Sequence, residues 1–358
     1  MLIFLSIIVF VGIFGLIIFL HELGHFLVAK REGMRVKEFA FGFPPRLVSM
    51  KRGETRFSVN LIPLGGYVSI LGEDEASTEP DSFGQQSPWA RLRVILAGVT
   101  MNIILAWLLL TVWLWVAPLA PRVDAVAVAA VTPGSAAADA GIEVNDFILS
   151  ADAQNDSAGT VEFVSDQALA NFTQARRGDR VTFTIRRNGN ERQVFTSLSA
   201  DPEQSPLGVS IVDVGASVPN VPWWKAPWDA ILEMGSITFI TLKFVGALIL
   251  KLFGAGSQSV SVASVSGPVG IFVFLKQTIT LGAPFVLRYA ALISLAVAIF
   301  NLLPFPALDG GRAIFLLYEG ITGKRAIPAK TEGWIHTAGF ALLILLIIVV
   351  TYFDLKKL

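Results

Sequence analysis

The chain has 358 residues, 53% of them hydrophobic and only 16% charged, with a mean hydropathy of +0.63. Soluble domains carry about a quarter charged residues, so the composition excludes an ordinary soluble protein and points to several membrane spans. The 28 basic and 28 acidic residues cancel and give no reason to propose nucleic acid as a partner, while the absence of cysteine excludes disulfides and thiolate metal sites.

Ile3 to Leu20 carries no charge and is long enough to cross a bilayer. It lacks a basic leading segment and a small-residue cleavage site, so it is expected to be retained as a helix rather than removed as a secretory signal. The run delivers His21-Glu22-Leu23-Gly24-His25. Histidines four apart share one helix face and can reach one zinc ion, with the intervening glutamate as general base on a metal-bound water. Ionisable residues at membrane depth are functional candidates by default. The alternatives are a chance motif or a helix cap facing water.

The following stretch is basic, from Lys30 and Arg31 to Arg52 and Arg56, as expected of a cytoplasmic loop. Residues 36 to 70 read as strands. Arg56 to Leu61 alternates, Phe39, Phe41 and Phe43 alternate before Pro44-Pro45, and Gly65-Gly66 follows Pro63 as a turn. These strands either dip into the bilayer shielded by protein or form a small cytoplasmic hairpin. Glu73 to Gln86 is a polar linker. Leu92 to Ala117 is the second span, with polar Thr100, Asn102 and Thr111 inside it and Trp107, Trp113 and Trp115 toward its far end.

From Pro118 to about Val218 the composition is that of a soluble domain. Thr132-Pro133-Gly134 followed by small residues predicts a short helix, Asn145-Asp146-Phe147-Ile148 opens a strand, a helix follows near Asp166 to Ala175, and a hairpin turns at Asn188-Gly189. That order resembles a PDZ domain. Asn145 stands where such domains usually have glycine, and asparagine tolerates the left-handed conformation. The resemblance implies peptide binding by strand addition; the alternative is a steric cover that binds nothing. Ile231 to Leu250 carries Glu233 and Lys243 and is preceded by Trp223, Trp224 and Trp228, which suits an amphipathic helix in the interface better than a span. Gly254 to Gly270 reads as a Ser-rich loop.

Phe285 to Leu303 is the third span, running into Asn301-Leu302-Leu303-Pro304-Phe305-Pro306-Ala307-Leu308-Asp309-Gly310-Gly311. Lys324, Arg325 and Lys330 form a second basic loop, and Trp334 to Phe353 is the last span. The fold class expected is a multispanning α-helical membrane protein of four transmembrane helices, with a membrane-associated β-sheet after the first and one extracytoplasmic PDZ-like α+β domain. The domains expected are a membrane core at 1–117, the PDZ-like domain at 118–218, an interfacial helix and loop at 219–280, and a second membrane core at 281–358. A hydrolytic zinc site takes three protein ligands and leaves a position for water. Asp309, the only acidic residue between Leu281 and Tyr318, is a candidate third ligand, or else a cap on the next helical segment.

HELGH in the first span, NLLPFPALDGG after the third and a single PDZ-like domain between them resemble the bacterial site-2 protease family, over nearly the whole chain. The resemblance implies an intramembrane zinc metalloprotease of the bacterial inner membrane, with its active site toward the cytoplasm. It makes His21, His25 and Asp309 the ligands of one zinc ion and Glu22 the catalytic base. It has Asn301, Pro304 and Pro306 contact the substrate backbone. It also has Gly42, Phe43 and the strands through Gly65 and Gly66 form a membrane-embedded sheet that pairs with unwound substrate. Phe43-Pro44-Pro45 departs from the usual Gly-Phe-Gly-Pro of that segment, and many relatives have two PDZ domains. The partners implied are membrane lipid and pre-trimmed single-pass membrane proteins, such as anti-sigma factors or signal-peptide remnants in regulated intramembrane proteolysis, with a peptide C-terminus as the candidate ligand of the PDZ-like domain. A scaffold with a structural zinc closed by His336 is the rival reading, and zinc transport a weaker one.

Overall fold

The computed structural model describes residues 2–73, 77–116, 125–144, 146–153, 159–163, 166–187, 190–202, 204–213, 221–252, 267–325, 327 and 329–357. Asn145, the Asn188-Gly189 turn and most of the loop expected from Gly254 lie outside them. The chain forms two compact units, Val116–Asn220 and the remainder, Met1–Trp115 with Val221–Leu358.

The larger unit is mostly helical. Helix α1 (Leu2–Arg31) is 30 residues of nearly unbroken apolar sequence, about 45 Å of helix against a hydrocarbon layer of about 30 Å. It crosses α2 (Pro88–Val116) closely, because the crossing residues are small. A Cβ on Gly24 would overlap the carbonyl oxygen of Ala97, so only glycine permits this approach, as in other tight membrane-helix contacts.

Strands β1 (Val36–Arg52) and β2 (Thr55–Ile70) form a sheet against α1. The register folds back on itself. Phe39 is paired with both Val68 and Phe57, and Phe41 with both Gly66 and Val59. The first part of β1 therefore lies between two segments of β2, and among the described residues Gly66–Ile70 is paired only with Val36–Phe41. Phe39 and Phe41 point at α1, where Phe19 and Phe26 meet them edge to face. Leu47, Val48, Met50, Val59, Leu61 and Ile62 are exposed.

The C-terminal half of this unit holds α5 (Ala226–Leu252), α6 (Pro268–Leu281), α7 (Ala283–Leu302), α8 (Asp309–Thr322) and α9 (Ala329–Lys357). Among the described residues five helices, α1, α2, α5, α7 and α9, are long and apolar enough to cross a membrane. The sequence reading gives four of them a crossing and lays α5 along the interface. That reading also has a loop running to Gly270 and misses α6. A helix forms there because Pro268 starts it without a lost donor and the buried Asp354 carboxylate of α9 accepts from the Gly270 N–H at 2.9 Å.

The smaller unit is an α+β fold. Strands β3 (Val126–Val131), β4 (Phe147–Ala153), β6 (Arg180–Arg187), β7 (Asn190–Ser197) and β8 (Val209–Asp213) lie in the order β7-β6-β4-β3-β8, with the short β5 (Val161–Glu162) on β4. Its core is Phe163, Phe183, Ile148, Ile185 and Leu169. The last of these sits on α4 (Asp166–Ala175), with Phe172 beside it. The short helix α3 (Ala136–Asp139) is capped by the Ser135 hydroxyl, which accepts from Ala138 N–H.

Asp146 is buried at the start of β4, and Arg187 closes a two-pronged ion pair on it, 2.6 Å to Oδ1 and 2.7 Å to Oδ2. Hydrogen bonding to Asp146 raises the pKa of the already basic Arg187, so the guanidinium stays charged. Arg187→Met would leave a buried carboxylate unpaired, at a cost of about 3–5 kcal/mol. Pulse proteolysis in urea should show this unit cleaved at clearly lower denaturant in the variant, with the helical unit unaffected.

Candidate metal centre

The α1–α2 crossing places His21 and His25 against α2. A Cβ on Gly98 would overlap the Nε2 of His25 and crowd the His21 ring, so the imidazoles occupy the space that this glycine leaves open. His25 Nδ1 donates to the Val94 carbonyl at 2.8 Å, since a carbonyl can only accept. Its Nε2 therefore presents a lone pair toward the centre. The His21 Nδ1 is 3.3 Å from the side-chain nitrogen of Asn102.

Asp309 arrives from the other half of the unit. After α7 the chain turns sharply through Pro304 and Pro306. Gly310 and Gly311 fit against the carbonyls of Leu302, Leu303 and Phe305, where any Cβ would overlap them. Leu308 occupies the cap position of α8, and no side chain caps the helix. The capping role considered for Asp309 is thus replaced by another: its Oδ2 faces both histidines, 3.2 Å from His21 Nε2 and 3.6 Å from His25 Nε2. Helix α8 is held in this place by two ion pairs of 2.6 Å, Arg91 with Glu319 and Arg312 with Glu73.

The two Nε2 atoms are 3.2 Å apart. A tetrahedral site with bonds of about 2.0–2.1 Å separates its ligand atoms by about 3.3–3.4 Å, so the three observed separations match a metal's ligand set. The Asp309 Oδ2 is buried and finds no well-aligned hydrogen bond, which is the condition of an oxygen built to meet a cation. The donor set, nitrogens and a carboxylate oxygen with no thiolate, suits zinc. Among the described residues His21, His25 and Asp309 are the one group that could hold a metal, and His336 is not part of it.

Glu22 lies beside the centre on the side of the sheet. A Cβ on Gly66 would come 3.2 Å from its Cγ, and the Val68 backbone N–H approaches its carboxylate. The predicted substrate-contacting residues fall in two groups. Asn301, Pro304 and Pro306 lie at the end of α7 and on the turn that leads to Asp309, with Pro304 exposed and Pro306 packed against Gly339 of α9. On the sheet, Gly42 has φ +83°, the exposed Phe43 ring covers Gly65, and Gly66 adjoins Glu22.

The family model of peptidase family M50 matches residues 9–346. The chain belongs to that family. A chain from Clostridium perfringens, carried under a provisional zinc-metalloprotease name, is 35% identical over 96% of each chain. The zinc metalloprotease RasP of Geobacillus kaustophilus is 29% identical over 98% of each. The regulator of sigma-W protease RasP of Bacillus subtilis is 27% identical over 99% of each. The two halves of the cluster lie 288 residues apart in this M50 chain, at His21 and Asp309.

Sequence reasoning missed Gly98, Val94 and Asn102. Asn102 was seen only as a polar interruption of the second span. A polar amide within an apolar span, four residues after Gly98 and so on the same helix face, was the available signal. Gly98→Ala should drive the histidines apart, weakening zinc binding about 10- to 100-fold, the usual loss when a metal's supporting shell is disturbed. Chelator competition on the purified protein measures this directly.

Proposed function

We propose that this M50 chain is a zinc-dependent intramembrane endopeptidase that cuts the membrane-spanning segments of pre-trimmed, single-pass membrane proteins. The observation that carries the reading is the convergence of His21, His25 and Asp309 beside Glu22 in a multipass helical unit. His21, His25 and Asp309 would hold the ion, which supplies a polarised water and a Lewis acid for the scissile carbonyl. Glu22, beside those ligands, would serve as the general base and would then protonate the departing amine. The side of Gly66–Ile70 that carries no strand partner among the described residues would offer its remaining backbone groups to an extended peptide next to Glu22, and strand addition there would unwind a helical substrate and present one peptide bond. Asn301, Pro304 and Pro306 would bound the same peptide from the other side. The exposed apolar residues of the sheet favour its immersion in lipid over a cytoplasmic hairpin.

Both basic loops lie on the cytoplasmic side in this reading, with four spans, α5 in the interface, and the smaller unit outside the bacterial inner membrane as a PDZ-like domain. Glu233 and Lys243 on α5 support the interfacial placement, because a charge at the centre of a span costs about 2.5–3.5 kcal/mol. The edge strand β8 beside α4 is the groove a trimmed C-terminus would enter. The trimmed substrates would be products of an earlier cut, such as anti-sigma factors or signal-peptide remnants.

Glu22→Gln should keep zinc bound and slow cleavage of a reporter transmembrane helix by about 10²–10⁴-fold, the usual contribution of a general base. Purified Glu22→Gln that still cleaves at the normal rate would remove the hydrolytic reading; intact biological function without proteolysis would favour a scaffold.

The absence of cysteine allows single introduced cysteines to report sidedness. Gln193→Cys should react with a membrane-impermeant probe from outside intact cells, and Ser49→Cys and Thr322→Cys only after the membrane is opened. Labelling of Gln193→Cys and Thr322→Cys from one side would make α5 a fifth span.

A further inference from the structure

Helix α8 carries two apolar faces, and the fold covers only one. Gly310, Gly311, Ala313 and Leu316 are buried, and the last two pack into the cluster that contains Phe83, Leu92 and Ile95. On the outward side Ile314, Leu317, Tyr318 and Ile321 stand at i, i+3, i+4 and i+7, a single stripe along a helix. They are 48, 39, 49 and 76% exposed. Charged residues take no part in that stripe. Arg312 and Glu319 lie to one side of it, paired with Glu73 and Arg91. Thr322 gives its hydroxyl to the Tyr318 carbonyl at 2.8 Å, so that group needs no water.

The level of the stripe decides what can cover it. α8 has 14 residues, about 21 Å of helix, too short to cross about 30 Å of hydrocarbon. It starts at the metal centre, against His21 and His25 of the α1 span. It ends where α1 and α2 reach the surface. There Glu319 pairs with Arg91, a Cβ on Gly320 would come 3.0 Å from the Trp89 ring, and Arg93 of α2 pairs with Glu32, the residue after α1. The stripe therefore runs outward from the depth of the spans to their end. At that end the residues change as they do at a membrane boundary. Trp89 is 47% exposed, Gly323 ends the helix at φ +67°, and the exposed Lys324 and Arg325 follow. One carboxylate, Glu319, meets both Arg91 at 2.6 Å and Arg325 at 3.8 Å, and Lys324 adds a further positive charge.

We propose that the outward side of α8 is a binding surface for an anionic phospholipid: the acyl chains lie on Ile314, Leu317, Tyr318 and Ile321, and Lys324 and Arg325 hold the headgroup phosphate. An apolar stripe with cations at its surface end is the arrangement by which helices engage anionic leaflets. A neutral lipid would fill the stripe and leave the excess positive charge without a partner, and a soluble protein could not reach a face at hydrocarbon depth. The helix that brings Asp309 to the metal centre is thus itself seated in the leaflet. Neither zinc nor hydrolysis enters the argument.

The test uses the cysteine-free full-length chain in phosphatidylcholine bilayers, with a bimane fluorophore on Leu317→Cys or Ile321→Cys. Phosphatidylglycerol and phosphatidylcholine carrying a nitroxide on the acyl chain are compared as quenchers. Both should quench, and phosphatidylglycerol should reach half-quenching at a lower mole fraction, by about 5-fold for each cation that holds it. Lys324→Gln combined with Arg325→Gln should bring the two curves together. Lys324→Gln alone leaves the Arg325–Glu319 pair in place and should remove one of the two steps, which decides the matter if the double variant does not fold. Equal quenching by the two lipids in the protein with both cations would overturn the proposal, because the stripe would then take lipid without regard to charge. Quenching by aqueous iodide and by neither lipid would overturn it as a face open to water. Protection from all three quenchers would overturn it in favour of a second copy of the chain on the stripe.

Discussion

The closeness of α1 to α2 is the constraint on which the site depends. Gly24 lets the two backbones meet at Ala97, and Gly98 leaves the volume into which both imidazoles fit. Close packing of this kind has little slack: interiors are as dense as organic crystals, so a single methyl in the crossing is felt directly at the ring nitrogens. The same crossing brings the Val94 carbonyl and the Asn102 amide to the two Nδ1 atoms. The supporting shell of the centre is thus contributed by one helix, α2, and the histidines by the other.

Asp309 reaches the centre by a different device. Pro304 and Pro306 interrupt the helix, and the paired glycines allow α8 to start almost in contact with the end of α7. Its orientation is then secured at both ends, by Arg312 with Glu73 and by Arg91 with Glu319. The second of these is largely buried, with 7% and 17% of the side chains exposed, where losing one partner is far more damaging than a surface pair. Position and charge are both needed: a carboxylate held loosely would hydrogen-bond a histidine and cease to be a ligand.

In the proposed reading the sheet links this centre to a peptide. Among the described residues its Gly66–Ile70 segment is strand-paired on one side only, and Gly66 and Val68 adjoin Glu22. Unpaired backbone groups are costly in hydrocarbon, so such an edge is stable where protein or substrate can satisfy it. A strand captured there would lie next to Glu22. The reading of the chain as a protease that unwinds its substrate depends on this adjacency as much as on the metal ligands.

By itself the sequence determined the membrane class, the two motifs and the order of the long apolar segments. Hydropathy is a property of contiguous stretches, and the histidines and glutamate are related by a helical turn, so both are local. Helix α4 was legible from Asp166 to Ala175, and the long strands from their alternating phenylalanines. The tertiary structure decided what depends on helices meeting. It brought Asp309 to His21 across 288 residues of chain (309 minus 21), turned Asn102 from an interruption in a span into a neighbour of the site, and gave Gly98 its purpose. It also formed α6, whose N-terminus is held by Asp354 from a distant helix. A glycine or an amide in an apolar run reads the same whether it faces lipid or a metal centre, and only the packing of a second helix distinguishes the two.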